Sequence, residues 1–376
     1  GVTISESGIE ASGIGITVAN INGTQIGGRR NLVINGDMRI AQRGTSSTSQ
    51  GYQTCDRWRI DQDSGLTEAC TQSQVTLSSS DTPYASGFRH AFRITNGNQT
   101  SQDANDYIQL VQKIEAQDID QCGWNSTSTS DFITLQFWVK ASIAQTFYVK
   151  IEATDASKTY TYPIAVTTSW QRLTTSIPGA SGVTFNNDTG VGMRICIIPY
   201  YGTSYTTSGH SINTWITSDG ANQTPDFATT WFSGNDATFD VTGVQLEVGQ
   251  VATPFEHKKF AEELSLCQRY YQRFESGGDH HQLAAAGEGS SACKFGVPLC
   301  VPLRAAPTVA CGNHRWYRSS SVGYTQSTDA PTNVQFSTSV SSPVISIQAG
   351  GHTTSNNEAG VWTPYNNNDL TLDSEL

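Results

Sequence analysis

"FITLQFWVKAS", residues 132–142, decides the fold class. Ile133, Leu135, Phe137, Val139 and Ala141 alternate with Thr134, Gln136, Trp138 and Lys140. A period of two puts the first set on one face of an extended chain and the second on the other, whereas a helix would scatter both around its circumference. The next run, "TFYVKIEA" at 146–153, repeats the device, with Phe147, Val149, Ile151 and Ala153 inward and Tyr148, Lys150 and Glu152 outward.

Working outward, further strands read at "HAFRIT" (90–95), "DYIQLVQKIEA" (106–116), "KTYTYPIAV" (158–166), "WQRLTTSI" (170–177), "GMRICIIPYY" (192–201) and "ATFDVTGVQLEV" (237–248). In the last, the apolar parity slips from Phe239 and Val241 to Val244, Leu246 and Val248, which predicts a β-bulge at Thr242 and Gly243. The alternating "NLVINGDMRIAQRG" at 31–44 reads as the opening strand. Many short strands without helical period between them indicate an all-β chain: antiparallel pairing in a β-sandwich or jelly roll over 31–256. Residues 1–30 are Gly-rich and poor in large apolar groups, so they read as a connector that gains order mainly by pairing with other chains or a neighbouring domain.

At residue 253 the pattern changes. "TPFEHKKFAEELSLCQRYYQRF" spaces Phe260, Leu264, Cys267, Tyr271 and Phe274 by three and four, predicting a neck helix over 257–276. Thr253 and Glu256 have capping-box spacing, and "ESGGD" supplies the exit. Strand signals return over 277–376, predicting a second, β-rich tip domain.

Composition narrows the function classes. The net charge of -11 and the absence of a basic patch argue against nucleic acid as a partner. No apolar run approaches the roughly 18 residues of a membrane span, so membrane insertion is not expected. The chain opens on Gly1, which suggests a fragment of a longer polypeptide. Eight scattered cysteines without a Cys-x-x-Cys pair speak against a zinc ribbon, and at 376 residues the chain has room for hydrophobic cores without a disulfide framework, so reduced thiols are expected.

"RRNLVINGDMRIAQRGTSS", "CDRWRI", "FITLQFWVKAS", "SWQRLTTSIPG" and "GVQLEVG" followed by "ATPFE" and "CQRYY" together resemble the body of bacteriophage tail fibres of the marine cyanophage and pelagiphage type. The order-preserving match spans residues 29–275, and "VPLRAAPTV" more faintly resembles the variable tips that follow. The resemblance implies the distal region of a homotrimeric fibre, made in the host cytoplasm and carried outside the cell on the virion. Other virion tail proteins would then meet the N-terminal segment. It also implies a jelly roll similar to carbohydrate-binding modules, and attachment to a host-surface glycan or outer-membrane receptor. Those modules often hold a structural calcium with paired acidic residues, whereas Asp240 stands alone in "TFDVTGV". No cofactor is expected.

Candidate ligand residues follow from parity and exposure. Trp138, Tyr148 and Trp170 fall on the polar parity beside Gln136, Lys140, Lys150 and Arg172, where a ring could stack on a sugar while its neighbours bond hydroxyls. The same rings could instead pack under loops or at a subunit interface. In the tip, Arg315, Trp316, Tyr317 and Arg318 of "NHRWYRSS" and Trp362 of "GVWTPYNNN" are candidates for anionic sugars. "GGDHHQ" offers His280 and His281 as metal candidates, and because adjacent histidines on an extended chain diverge, one ion would take one His from each chain of a trimer. Acidic residues lie on turns and strand ends without a glycosidase signature, and no Gly-x-Ser-x-Gly is present, so no enzyme is expected. A structural virion part such as a head-decorating fibre or cement protein, and a polysaccharide-cleaving tailspike, are the competing readings.

Overall fold

The computed structural model describes residues 30–275, 283–318, 324–327, 333–335, 344–365 and 368–376, together with four short strands near the start. These are β1 (Val2–Ser5) paired with β2 (Gly8–Ala11), and β3 (Asn20–Ile21) paired with β4 (Thr24–Gln25).

The sandwich comprises β5 (Ser46–Ser47), β6 (Trp58–Gln62), β7 (Thr71–Thr76), α1 (Thr82–Ala85), β8 (His90–Thr95), β9 (Tyr107–Glu115), α2 (Ala116–Asp120), β10 (Phe132–Ala141), β11 (Gln145–Ala153), β12 (Lys158–Val166), β13 (Gln171–Pro178), β14 (Val191–Tyr201), β15 (Trp215–Thr217) and β16 (Thr238–Val248). Two antiparallel six-stranded sheets form, ordered β13-β10-β16-β8-β7-β5 and β15-β12-β11-β14-β9-β6. The chain changes sheet between β5 and β6, β6 and β7, β8 and β9, β9 and β10, β10 and β11, β12 and β13, β13 and β14, and β15 and β16, in the manner of a jelly roll. The predicted inward residues of β10 and β11 are all buried and share one core with Phe92, Leu110, Ile195, Trp231 and Phe239. Each such side chain contributes roughly 1.5–3 kcal/mol on burial. Within this core Phe147 meets Phe239 edge-on at 4.9 Å.

The predicted bulge is present. β10 pairs β16 as Gln136↔Gln245 and then Trp138↔Thr242, so β16 carries one extra residue there. Gly243 takes φ +63°, and the Phe88 ring lies 2.6 Å from where its Cβ would stand.

Two expectations are corrected. Residues 31–44 form buried turns rather than a strand, because polar side chains consume the backbone bonds a ladder would need. Asn35, at φ 57°, bonds the amide and carbonyl of Ile40 and the carbonyl of Asp56, while Asn31 Oδ1 accepts from Leu246 N at 3.1 Å. The neck helix, expected over 257–276, is α3 (Phe260–Gln268) alone. Thr253 does not cap it. Its amide and hydroxyl donate to Glu247 at 2.9 and 2.6 Å, and the Glu256 carboxylate accepts from Asn31 N at 2.9 Å, so this segment lies extended across the first sheet. The far end of the expected helix is β17 (Tyr271–Phe274), and Phe260 is 59% exposed rather than packed. Long-range pairing outweighed the local helical period.

The C-terminal part contains β18 (Leu283–Glu288), β19 (Ala292–Pro298), β20 (Thr308–Ala310), β21 (His314–Arg318), β22 (Tyr324–Ser327), β23 (Asn333–Gln335), β24 (Val344–Ala349), β25 (Ala359–Pro364) and β26 (Leu370–Asp373). They form a sheet ordered β22-β21-β25-β18-β19-β24-β23 and a smaller one, β17-β26-β20. The chain then returns to the sandwich. Glu375 pairs with Arg57, which is 1% exposed and lies 3.4 Å over the Tyr270 ring, and Arg304 donates to the carbonyls of Ser374 and Glu375 at 2.9 and 3.1 Å. The last residues therefore tie the two β units together, with α3 between them held by Arg269 on Glu115 at 2.8 Å.

Two substitutions test these joints by urea denaturation. Gly243→Ala must push against a buried Phe88 ring from a left-handed backbone and is expected to cost about 1–3 kcal/mol. An unchanged midpoint would refute the role of the bulge. Glu375→Ala strands the buried Arg57 cation and is expected to cost about 3–5 kcal/mol, and a loss below about 1 kcal/mol would show the clamp to be dispensable.

Candidate functional site

The outer face of the second sheet carries a cleft of about 440 Å³, lined by Gln50, Arg59, Asp61, Tyr107, Gln109, Arg194, Tyr201, Tyr205 and Gln223. Register builds it. Asp61 of β6 stands opposite Gln109 of β9, Tyr107 opposite Tyr201 of β14, and Arg194 of β14 opposite Glu152 of β11. Because alternate residues face the same way, four neighbouring strands deliver these side chains to one surface.

A continuous polar network crosses that surface. Arg59 Nε donates to Asp61 at 2.7 Å, Gln109 Nε2 donates to Asp61 at 3.3 Å, and Tyr201 donates to Gln109 Oε1 at 2.6 Å. Arg194 reaches Glu152 at 2.8 Å and Asp61 at 3.8 Å, and Lys150 reaches Glu152 at 2.7 Å while donating to Gln223. Burial pushes the Glu152 carboxyl up, but the adjoining Lys150 and Arg194 outweigh it and hold the group below the usual carboxylate range. Burial above all, with Cys196 and Glu152 beside it, pushes the Tyr201 hydroxyl far up, so it stays a donor. Arg194 Nε faces no protein acceptor.

Rings wall one side. Tyr205 sits 5.6 Å from both Tyr107 and Tyr201, over a floor of Val111, Cys196 and Ile198. The loop bearing Tyr205 is pinned by Ser204 N to Ala104 O at 2.8 Å and Gln223 N to Tyr205 O at 2.9 Å. Half-buried rings beside fixed donors and acceptors can hold a ligand that has both an apolar face and hydroxyls.

The sequence-predicted residues are distributed otherwise. Tyr148 shares the outer face with Lys150, but its ring packs edge-on to Phe227 at 4.9 Å at the margin of the cleft. Trp138 and Trp170 lie on the opposite sheet, in an aromatic cluster with Phe88, Tyr84 and Phe255. Trp170 Nε1 donates to Asp81 at 2.8 Å, and Lys140 lies 4.9 Å over its ring. In the C-terminal part, Trp316 and Trp362 are corrected from ligand candidates to core: both are 0% exposed, they face each other across β21 and β25, and Trp362 stacks on Phe295 at 4.1 Å. Alternation turns Arg315 and Tyr317 to the other face, where Arg315 lies 3.3 Å over Tyr365 and Tyr317 meets Tyr324 at 5.1 Å. Arg318 is half-buried at the end of the same strand. His280 and His281 lie outside the described residues.

Among the described residues no group of three or more His, Cys, Asp or Glu is placed to hold a metal. Asp240 is gripped at both oxygens by Arg93, at 2.7 and 2.8 Å. All eight thiols are unpaired, and only Cys300 is exposed. Among the described residues no helix is long and apolar enough to cross a membrane.

No known protein family and no curated protein matches the sequence. Solved structures do match. A structure described as "CBM4 structure and function" aligns with 57% of this chain and 97% of its own at 14% identity and TM-score 0.29. The family 11 carbohydrate-binding module of the Clostridium thermocellum cellulase Lic26A-Cel5E aligns with 55% and 96% at 11% identity and TM-score 0.27. The enzymatically active domain of bacteriophage CBA120 tailspike protein 4 aligns with 58% of this chain but 21% of its own, at 11% identity and TM-score 0.30. These likenesses assign no residue and no ligand here.

Outward parity on β9 and β14 was the signal for the missed residues. Applied to "DYIQLVQKIEA" and "GMRICIIPYY", it lifts out Tyr107, Gln109 and Arg194 as it had Lys150 and Glu152. Tyr205 and Gln223 have no such mark, since loops brought them.

One buried pair in the C-terminal part sets a pH limit. His314 and His352, both 2% exposed or less, bond ring nitrogen to ring nitrogen at 2.8 Å. Burial, then the His314 ring beside it, pulls His352 down to about 4. The unfolded chain therefore binds a proton that the folded chain does not between about pH 6.5 and 4. Stability from this site is full above that window and is lost as pH falls through it. Chemical denaturation followed by Trp fluorescence is expected to show this slope, and His352→Asn is expected to flatten it. An identical slope in the variant would refute the assignment.

Proposed function

We propose that this chain is a non-catalytic, glycan-binding adhesin, the distal region of a homotrimeric phage tail fibre that attaches the virion to a host-surface glycan. The observation that carries the glycan reading is the cleft of the second sheet, where a tyrosine wall adjoins an unbroken network of fixed donors and acceptors. A pyranose ring presents an apolar C–H face to the rings and hydroxyls to the network. The tail-fibre setting rests on the ordered segments between residues 29 and 275.

Absence of catalysis is supported by the cleft's carboxylates. Glycoside hydrolysis needs one carboxyl kept protonated beside one ionised. Lys150 and Arg194 hold the buried Glu152 below the usual carboxylate range, so it does not serve as the protonated partner, and Asp61 is bonded to Arg59. Three weak clefts on one fibre would act at high effective concentration, so each need not bind tightly.

Affinity electrophoresis in gels containing host-surface polysaccharide, with a reducing-end assay alongside, tests this reading. The expected result is retardation, no released sugar, and a loss of about tenfold or more in Arg194→Ala, with Tyr205→Ala also weakened. Sedimentation is expected to give three chains. Equal mobility of wild type and both variants, or release of sugar, would sink the proposal.

A further inference from the structure

A second cleft, on the outer face of the opposite sheet, has no part in the reading above. It measures about 310 Å³ and its lining includes Phe88, Trp138, Arg172, Gly243, Phe255 and His257. We propose that it is an independent site for one neutral hexopyranose ring, so that the sandwich binds sugar on both of its outer faces.

The walls are aromatic. Phe88, Phe255 and His257 form a mutual set, with centroids 4.9 Å apart for Phe88 and Phe255, 5.2 Å for Phe88 and His257, and 4.9 Å for Phe255 and His257. Trp138 is half-buried beside them. The bulge at Gly243 makes the floor, because its missing side chain lets the Phe88 ring settle against the sheet.

The polar atoms left over choose the ligand. Arg172 stands opposite Trp138 in register and is anchored through Nε on Gln136 Oε1 at 2.8 Å and Nη2 on Thr253 O at 3.0 Å, which leaves Nη1 without an acceptor among the described residues. Trp138 Nε1, on a half-buried ring, likewise has none among the described residues. His257 Nε2 lies 2.9 Å from Ser86 O and donates to it, so in the neutral ring Nδ1 is an acceptor. Two donors and one acceptor thus border an apolar wall. Hydroxyls, which both donate and accept, match all three atoms. The chain's net charge of -11 opposes an anionic ligand. The volume lies at the small end of the roughly 300–1,000 Å³ usual for ligand pockets, which suits one ring rather than a polymer.

Fluorine NMR of the full chain labelled with 5-fluorotryptophan tests the proposal. Eight resonances are expected from eight Trp, and Trp138→Phe identifies one of them. The probes are the methyl pyranosides of glucose, galactose, mannose and rhamnose, with methyl glucuronide as the anionic control. At least one neutral probe is expected to shift the Trp138 resonance saturably, with a Kd on the order of 1–10 mM, while the glucuronide leaves it in place. Arg172→Gln, which keeps an exposed polar side chain, is expected to weaken that response about 5-fold. Tyr205→Ala is expected to leave it intact, so loss of the other cleft and loss of this one are distinguishable. A Trp138 resonance unmoved by all four neutral sugars overturns the proposal. So does an equal shift with glucuronide, or a response that disappears in Tyr205→Ala.

Discussion

Everything in the sandwich depends on the facing of β10 and β11, whose five- and four-residue apolar rows close a single core between two sheets. Because side chains alternate, sealing that core fixes at the same time which residues must look outward. The bulge in β16 is part of this constraint. Without its extra residue, Val244 and Leu246 would rotate out of the core and Gln245 and Glu247 would rotate in. Gly243 bears the cost of the slip because it can hold a positive φ under a packed ring.

The outer faces then take different characters from the polar residues they inherit. On the second sheet, charges of both signs come into register and neutralise one another across strands, which leaves ordered hydrogen-bonding atoms rather than a field. On the first, the segment around Thr253 lies down on Gln136, Gln245 and Glu247 and satisfies most of them, so only a few polar atoms stay open among rings. Burial decides between these outcomes, since an unpartnered polar group beneath a covering segment costs roughly 1–3 kcal/mol.

The second β unit is joined to the first by charge as well as by chain. Arg57, Arg43 and Arg304 converge on residues 373–375, and β17 and β26 are partners from far apart in sequence. Pairing β17 with β26 satisfies backbone groups that a longer helix would have satisfied locally. The buried Arg57 is also compensated by Glu375, whose position no local pattern records.

By itself the sequence determined the class of fold, the strand segments β8 to β14 and β16, the bulge, and the outward set on β10 and β11, because each follows from a two-residue period that any sealed core must obey. It also marked Lys150 and Glu152 as outward, though not as members of a site. Tertiary structure alone decided which outward residues meet. Tyr107, Arg194 and Asp61 become neighbours only through strand order, and Tyr205 and Gln223 only through loop closure. It likewise turned Trp316 and Trp362 inward, shortened α3, and folded residues 31–44 into turns. In each of these, long-range burial or hydrogen bonding outweighed a local pattern that was compatible with more than one structure.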